Sequence, residues 1–147
     1  MSTAFRSVLA AVVGALIAAP PLVDGRVYAN RLQPLPAGRS SAVVVRLEQS
    51  SSVETVLGAL DWTTRLAVEC YARGQAGVDP SESVDDLLRD AWQRVRALDA
   101  GQLGVMNIHV DSAVEWLFDE LETPLACAVI HMTVLHRTPV NTLQSWS

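Results

Sequence analysis

The strongest constraint in the sequence is a strict alternation of residue type from Asp61 to Arg73. Successive side chains of a β-strand point to opposite faces, so this alternation is typical of a strand with one buried face. Gly74, Gly77 and Pro80 follow it and end the strand. We therefore predict a strand with one face in a core and the other facing water or a neighbouring subunit. The inner face would hold Trp62, Thr64, Leu66, Val68 and Cys70, and the outer face Thr63, Arg65, Ala67, Glu69 and Tyr71.

A second long strand is predicted from Pro124 to Arg137, and both of its faces are largely apolar. Such a strand either lies inside a sheet or is covered by another subunit. One face would hold Ala126, Ala128, Ile130, Met132 and Val134, and the other Leu125, Cys127, Val129, His131, Thr133 and Leu135. Residues 139–147 after it predict a flexible tail.

Shorter extended segments are predicted elsewhere. Val27-Tyr28 begins one, and Ala42 to Glu48 alternates as a half-buried strand does. Residues 34–38, with two prolines and a glycine, predict a loop. Two more extended segments, Gly104 to Val110 and Ala113 to Phe118, would flank a polar turn at 109–112, and residues 119–122 would form an acidic hairpin turn.

Residues 49–60 predict a long polar hairpin loop, because they begin Gln-Ser-Ser-Ser and contain Gly58. The middle of this loop, from Val53 to Leu57, is mildly apolar. A solvated loop is the simpler interpretation, and a tip that contacts a partner is the alternative.

Two helices are predicted. In the first, Phe5, Val8, Leu9, Val12, Leu16 and Ile17 recur at helical spacing, Ser2 or Thr3 can cap it, and Pro20-Pro21 ends it. The segment also resembles a signal peptide, with Arg6 before the apolar run from Val8 to Ala19. The single positive charge and the two prolines favour a packed helix, and the run is too short to span a membrane.

The second helix has an Asp-Pro-Ser-Glu start, in which Asp79 or Ser81 can cap and Pro80 suits the first turn. Gly101 is the predicted end. Its apolar stripe consists of Val84, Leu87, Leu88, Ala91, Trp92, Val95 and Leu98. Together these elements predict one α+β domain over residues 1–138, a small mixed and mainly antiparallel sheet with two helices packed on it.

No residue pattern nominates a catalytic, cofactor or metal site. His131 and His136 lie five residues apart on one strand and would face opposite sides, and His109 with Asp111 gives only two ligands. The chain has no Gly-rich phosphate loop and no G-x-S-x-G sequence. Cys70 and Cys127 are interpreted as buried thiols, with a single disulfide as the alternative in an exported protein. We therefore do not expect an enzyme.

The four tryptophans do not change that expectation, since an aromatic residue on the apolar side of an element usually belongs to the core. Trp62 and Trp92 lie on the apolar stripes of their elements, and Trp116 is in phase with Val114 and Phe118. The formal net charge of −5 argues against a dedicated nucleic-acid surface.

The order of these segments resembles the tail terminator family of long-tailed phages, the minor tail protein U-like or tail completion proteins. The likeness runs from Phe5 to Arg137. It rests on the helix ending near residues 22–27, the Val-rich strand from Ala42 to Glu48, and the strand Trp62-Thr-Thr-Arg-Leu-Ala-Val-Glu-Cys-Tyr71. It continues through the helix that opens at Asp79 and the closing strand Ala126-Cys-Ala-Val-Ile-His-Met-Thr-Val134.

This resemblance implies a structural virion protein without a cofactor. It would form a homo-oligomeric ring, a hexamer, on the finished tail tube, end tube polymerisation and offer a surface to the head–tail connector. Assembly would take place in the bacterial host cytoplasm, no membrane would be involved, and DNA would only pass through the channel. A related head–tail connector subunit and an exported small α+β protein with a cleaved signal peptide are the alternatives.

An interface is expected where apolar or charged residues face outward from the predicted elements. The candidates are Val53, Val56, Leu57, Arg65, Glu69, Tyr71, Leu125, Val129 and His131.

Overall fold

The structure, a computed structural model, describes residues 2–18, 22–30, 41–74, 79–119 and 125–145. In chain order its elements are helix α1 (Ala4–Ile17), a 3₁₀ turn (Leu22–Gly25), strands β1 (Val27–Ala29), β2 (Ser41–Val56) and β3 (Ala59–Arg73), helices α2 (Pro80–Arg96) and α3 (Ala100–Leu103), and strands β4 (Asn107–Asp119) and β5 (Leu125–Pro139).

The strands form one five-stranded sheet in the order β1-β2-β3-β5-β4. β1 pairs with β2 in parallel, and every other pairing is antiparallel. Helices α1 and α2 pack on the sheet, so the predicted α+β fold with a mixed, mainly antiparallel sheet is confirmed. The interior position of β5, between β3 and β4, is confirmed as well.

The core lies between the two longer helices and one face of the sheet. The predicted inner faces of β3 and β5 are both part of it, and so is the predicted stripe of α2. α1 is the packed helix that its spacing predicts, and Thr3 caps it by accepting a hydrogen bond from the Arg6 amide. The largest side chains buried completely in this layer are Leu16, Leu66, Ile130, Met132, Val12, Val43, Val45, Val68, Val84, Val95 and Val134.

The predicted end of the second helix at Gly101 is wrong. α2 ends at Arg96, and Gly101 lies inside the short helix α3. The Asp99 side chain accepts a hydrogen bond from the Gly101 amide and so caps a new turn of helix. The left-handed residue that ends a helix here is Gly104, with φ of 71°.

The predicted hairpin loop at residues 49–60 is also wrong. β2 continues to Val56, and only Leu57 and Gly58 form the turn to β3. The serines are strand residues because β3 pairs with each of them, as when Ser50 and Thr64 join their hydroxyls at 2.9 Å. At the other end of β2, Ala42–Val45 is buried on both faces, not on one as predicted.

β4 is one strand, so the predicted polar turn at 109–112 is wrong. Val110 pairs with Met132 and Val114 pairs with Ile130, so the register shifts by two residues and the strand bulges between them. The predicted acidic turn begins at the last residue of β4, and its remaining residues, 120–122, lie outside the described part of the chain, as do residues 34–38 of the predicted loop.

The segment after β5 touches the start of α1. β5 runs to Pro139, one residue beyond the predicted domain boundary. The Ala4 amide donates a hydrogen bond to the carbonyl oxygen of Leu143, at 2.6 Å. The described part of the predicted flexible tail, up to Ser145, therefore supplies a partner for an amide at the start of a helix, which has none within the helix.

The packing of α1 gives a direct stability test. Leu16→Ala is expected to lower the free energy of unfolding by about 2–5 kcal/mol, because Leu16 is completely buried and the truncation leaves a cavity. Ile17→Ala removes a similar side chain from the next position, which is 39% exposed, and should cost about 1 kcal/mol or less. Urea denaturation measures both values. Equal losses would contradict the packing of α1 described above.

Candidate interaction surface

Helices α1 and α2 cover one face of the sheet, and none of the described helices packs on the opposite face, here termed the open face. On the open face the Arg46 guanidinium pairs with the Glu69 carboxylate at 2.5 Å, and the Tyr71 hydroxyl donates to the same carboxylate at 2.9 Å. Burial is the main cause that raises the pKa of Tyr71, which therefore stays protonated as a donor. Beneath this group lies a small apolar cluster of Ala67, Cys127 and Val129.

A second polar network crosses four strands of the open face. Arg65 pairs with Glu48 at 3.4 Å and with Asp111 at 3.1 Å. The His131 ring contacts Glu48 through Nδ1 at 2.8 Å and Glu115 through Nε2 at 3.4 Å. These side chains are partly exposed, so each pair contributes only about 0–1 kcal/mol to stability. Together they place acidic and basic side chains next to each other on the open face.

The nine predicted interface residues therefore fall into separate places. Glu69, Tyr71 and Val129 are adjacent on the open face, and Arg65 and His131 share the carboxylate of Glu48. Leu125 is half-buried at the start of β5. The other three lie at the hairpin tip, defined here as residues 53–58, and are exposed: Val53, Val56 and Leu57.

The hairpin tip projects beyond the helix layer. β3 has 15 residues, so it is about 50 Å long at a rise of ~3.3 Å per residue. α2 has 17 residues and is only about 25 Å long at ~1.5 Å per residue. α2 therefore spans only about half the length of β3. Residues 48–58 are exposed on both faces of the sheet, and Leu57, at the far end of the hairpin, is 93% exposed.

The base of the tip is fixed by a charged group. Asp61 on β3 accepts hydrogen bonds from Arg137 on β5, at 2.6 and 3.2 Å, and from the Thr55 hydroxyl on β2. Arg137, and after it Thr55, lower the pKa of Asp61 to about 2. Three strands are thus tied together just below the tip.

A second apolar surface, which the sequence did not indicate, lies near the end of β4. We term it the aromatic corner and define it as Trp116, Leu117 and Phe118. The rings of Trp116 and Phe118 stack at 6.4 Å, and Trp116 is 41% exposed, so the prediction that Trp116 is a core residue is wrong. Its side of β4 faces the helix layer, because it pairs with Ala128 of the core, but it lies at the sheet edge. Alternation along a strand predicts on which face of the sheet a side chain lies, but it does not predict whether the strand forms an edge of the sheet.

Two other tryptophans, Trp62 and Trp92, agree better with the prediction of core positions, and Trp146 lies outside the described residues. Trp92 is partly buried against the core. Trp62 is partly buried, meets the Phe5 ring edge-on at 4.9 Å and donates its indole N–H to Thr138 Oγ1 at 2.9 Å.

His136 lies on the helix side and His131 on the open face, as the spacing predicts. The Nε2 atom of His136 is 2.7 Å from Thr64 Oγ1, and burial lowers the pKa of the ring. His136 also lines a cavity of about 270 Å³ beside Ser7 and Val105. Within the described ranges, no three His, Cys, Asp or Glu side chains are grouped closely enough to hold a metal ion.

The two cysteines are buried free thiols, as predicted, and lie on opposite faces of the sheet. Cys70 belongs to the core beneath the helices, and Cys127 to the small cluster on the open face. A disulfide between them, the alternative left open above, is excluded by that geometry. Burial raises the pKa of Cys70, and it raises that of Cys127 to about 12.

No family model matches the chain, and no curated protein matches its sequence. None of the described helices is both long enough and apolar enough to cross a membrane.

The burial of both thiols predicts low reactivity. In the native protein at pH 8, neither cysteine should react with a thiol reagent at the rate of a free model thiol, because both are buried and protonated. In denaturant, both should react. Counting thiols with Ellman's reagent under the two conditions tests this, and one fast native thiol would contradict the assigned burial.

The Asp61 group predicts an acid dependence of stability. The folded pKa of Asp61, about 2, lies below its ordinary value of 3.8. The unfolded chain therefore binds more protons, so the stabilisation is present above pH 4 and is lost as the pH falls towards 2. Asp61→Asn should flatten that part of the curve. Urea midpoints of both proteins from pH 2 to 7 measure the difference, and parallel curves would contradict it.

Proposed function

We propose that the chain is a structural subunit of a phage or prophage tail, which closes as a ring on the end of the tail tube. The ring ends tube polymerisation and offers the surface to which the head–tail connector attaches. The resemblance in element order supports this role, and so does the confirmed α+β fold with helices on one face of the sheet. The protein acts by assembly, with itself, the tube protein and the connector as partners.

The observation that carries the proposal is the position of two exposed apolar surfaces. The hairpin tip lies at the end of the sheet where Ala59 pairs with Pro139. The aromatic corner lies at the opposite end of the strands, where Phe118 pairs with Ala126. It also lies on the opposite edge of the sheet, which β4 forms. A subunit of a ring on a tube needs more than one contact surface, because it meets both the neighbouring copies and the tube protein. One apolar patch would suffice for a two-fold dimer.

The hairpin suits contact along the ring axis. It extends past the helices, and the Thr55–Asp61–Arg137 group and the Ser50–Thr64 hydrogen bond hold its two strands in place. A contact made by an ordered hairpin loses less conformational entropy on binding than one made by a flexible loop. The tip residue Leu57 then provides apolar surface for the tube protein.

The charge of the chain suits a channel through which DNA passes. Its formal net charge is −5, and it contains 16 acidic against 11 basic residues. Acidic groups that line a channel repel the phosphate backbone, so DNA slides through without binding. The ring contacts DNA only in transit, in the virion tail.

The proposal is tested by adding the purified protein to polymerising tail tubes of the same phage. Ring-shaped particles of six copies should appear at tube ends in electron micrographs, and tube growth should stop. Leu57→Lys, at the fully exposed tip, should weaken tube binding by about tenfold, since a charge opposed to an apolar contact costs roughly 1–2 kcal/mol.

Leu143→Lys provides the control, because this side chain is also exposed but lies outside the tip. It should stop tube growth as the unaltered protein does. A protein that stays monomeric with tubes present, as judged by sedimentation velocity, and leaves tube growth unchanged would refute the proposed function.

A further inference from the structure

The helix layer is narrower than the sheet that it covers. Strands of a sheet lie about 4.8 Å apart and packed helices about 8–10 Å apart, so one helix covers about two strands. α1 lies mainly against β1 and β2, and α2 mainly against β3 and β5. Among the described residues, no helix covers the end of β4, where Trp116 and Phe118 are exposed on the helix side. The layer therefore has room for one more helix beside α2.

A groove runs between α2 and the second half of β4. It has a volume of about 270 Å³ where Leu88 and Trp92 of α2 face Val114 of β4. Trp116 and Phe118 continue the same side of β4, because both pair with core residues of β5. We term this surface the corner groove and define it as Leu88, Trp92, Val114, Trp116 and Phe118.

The exposed side of α2 beside the corner groove is acidic. Residues 82–90 hold four exposed carboxylates and one exposed arginine. That arginine, Arg89, pairs with Asp86 at 3.2 Å and with Asp90 at 3.4 Å. Asp85 lines the groove, and no described basic side chain pairs with it. A carboxylate next to apolar surface favours a partner that places Arg or Lys beside its apolar side chains.

A second copy of the chain, as far as the structure describes it, offers no such partner. The apolar stripes of α1 and α2 are already buried in the core. The hairpin tip is apolar and exposed, but its single charged residue is Glu54, which the acidic side of α2 repels. The charges therefore favour a different protein as the occupant.

The dimensions of the corner groove fit a short helix. From Val114 to Phe118, β4 is about 13 Å long at ~3.3 Å per residue. A helix spans that length with about nine residues at ~1.5 Å each. An amphipathic helix would place apolar residues at i, i+3, i+4 and i+7 in the groove, and it would extend the helix layer over β4.

We infer that the corner groove binds an amphipathic helix of a different protein, with Arg or Lys on the side that faces α2. The inference rests on the proposed function in one respect, since there this protein is the head–tail connector. The corner groove lies at the end of the strands opposite to the hairpin tip. The tip can therefore meet the tube while the groove remains open to the connector.

Two helical peptides of matched design test the chemistry of the site. Each has about 15 residues, with Leu at i, i+3, i+4 and i+7, and carries either Arg or Glu on both sides of the Leu stripe. The Arg peptide should shift the indole N–H signals of Trp92 and Trp116 in NMR spectra of the full chain. The signal of Trp62, whose indole donates to Thr138, should stay in place. The Glu peptide should bind at least tenfold more weakly. Equal binding of both peptides, or no shift of Trp116, would overturn the inference.

Two neighbouring positions separate the groove from general stickiness. Phe118 and Leu117 are both 51% exposed but lie on opposite faces of β4. Phe118→Ala should weaken binding of the Arg peptide at least tenfold, whereas Leu117→Ala should change it less than twofold. Equal losses would overturn the inference.

A charge reversal at an exposed helix position tests the acidic side. Asp85→Arg should reverse the preference, so that the Glu peptide binds more tightly than the Arg peptide. An unchanged preference would overturn the inference. So would self-association of the protein alone that Phe118→Ala abolishes in sedimentation velocity, because a second copy would then occupy the groove.

Failure of this inference and failure of the proposed function give different results. A protein that stops tube growth but does not bind the Arg peptide would overturn only the inference. A protein that binds the Arg peptide through Phe118 but leaves tube growth unchanged would support the groove and refute the proposed function.

Discussion

Burial of one face of β3 and β5 beneath α1 and α2 is the interaction on which the rest of the structure depends. Leu66, Val68, Ile130 and Met132 are completely buried there. Removing apolar surface from water stabilises by about 25 cal/mol per Å², so this layer supplies most of the favourable free energy of folding. Both helices pack on the same face, and in the part of the chain that the structure describes no helix packs on the other face, which carries ion pairs.

Two features of the sheet leave apolar residues in contact with water. The hairpin tip projects beyond the helix layer, and the aromatic corner lies on β4 at the edge of the sheet. A lone hairpin of this kind is marginally stable, and here the Asp61 carboxylate ties it to β5. The sheet thus presents an ordered tip, an exposed aromatic corner and a charged face. Each of these surfaces suits contact with another protein.

Much of the architecture follows from periodicity in the sequence. Alternation identified β3 and β5 with their correct faces, and helical spacing identified α1 and α2, because these elements pack one face against a core. The Ser-rich half of β2 was not predicted as a strand, because its strand conformation depends on pairing with β3. The β-propensity of the serines alone does not indicate that pairing. The exposure of Trp116 was not predicted for a related reason. It depends on the order of the strands in the sheet, which decides that β4 forms an edge.

The central claim is that the chain acts by assembly, as a subunit of a ring that contacts the tail tube through the hairpin tip. A cryo-electron microscopy reconstruction of the protein bound to tail tube ends tests it most directly. A closed ring of subunits is expected at the tube end, with the hairpin tips directed along the ring axis onto the tube protein. Tube ends without the protein, or rings whose hairpin tips point away from the tube, would contradict the claim.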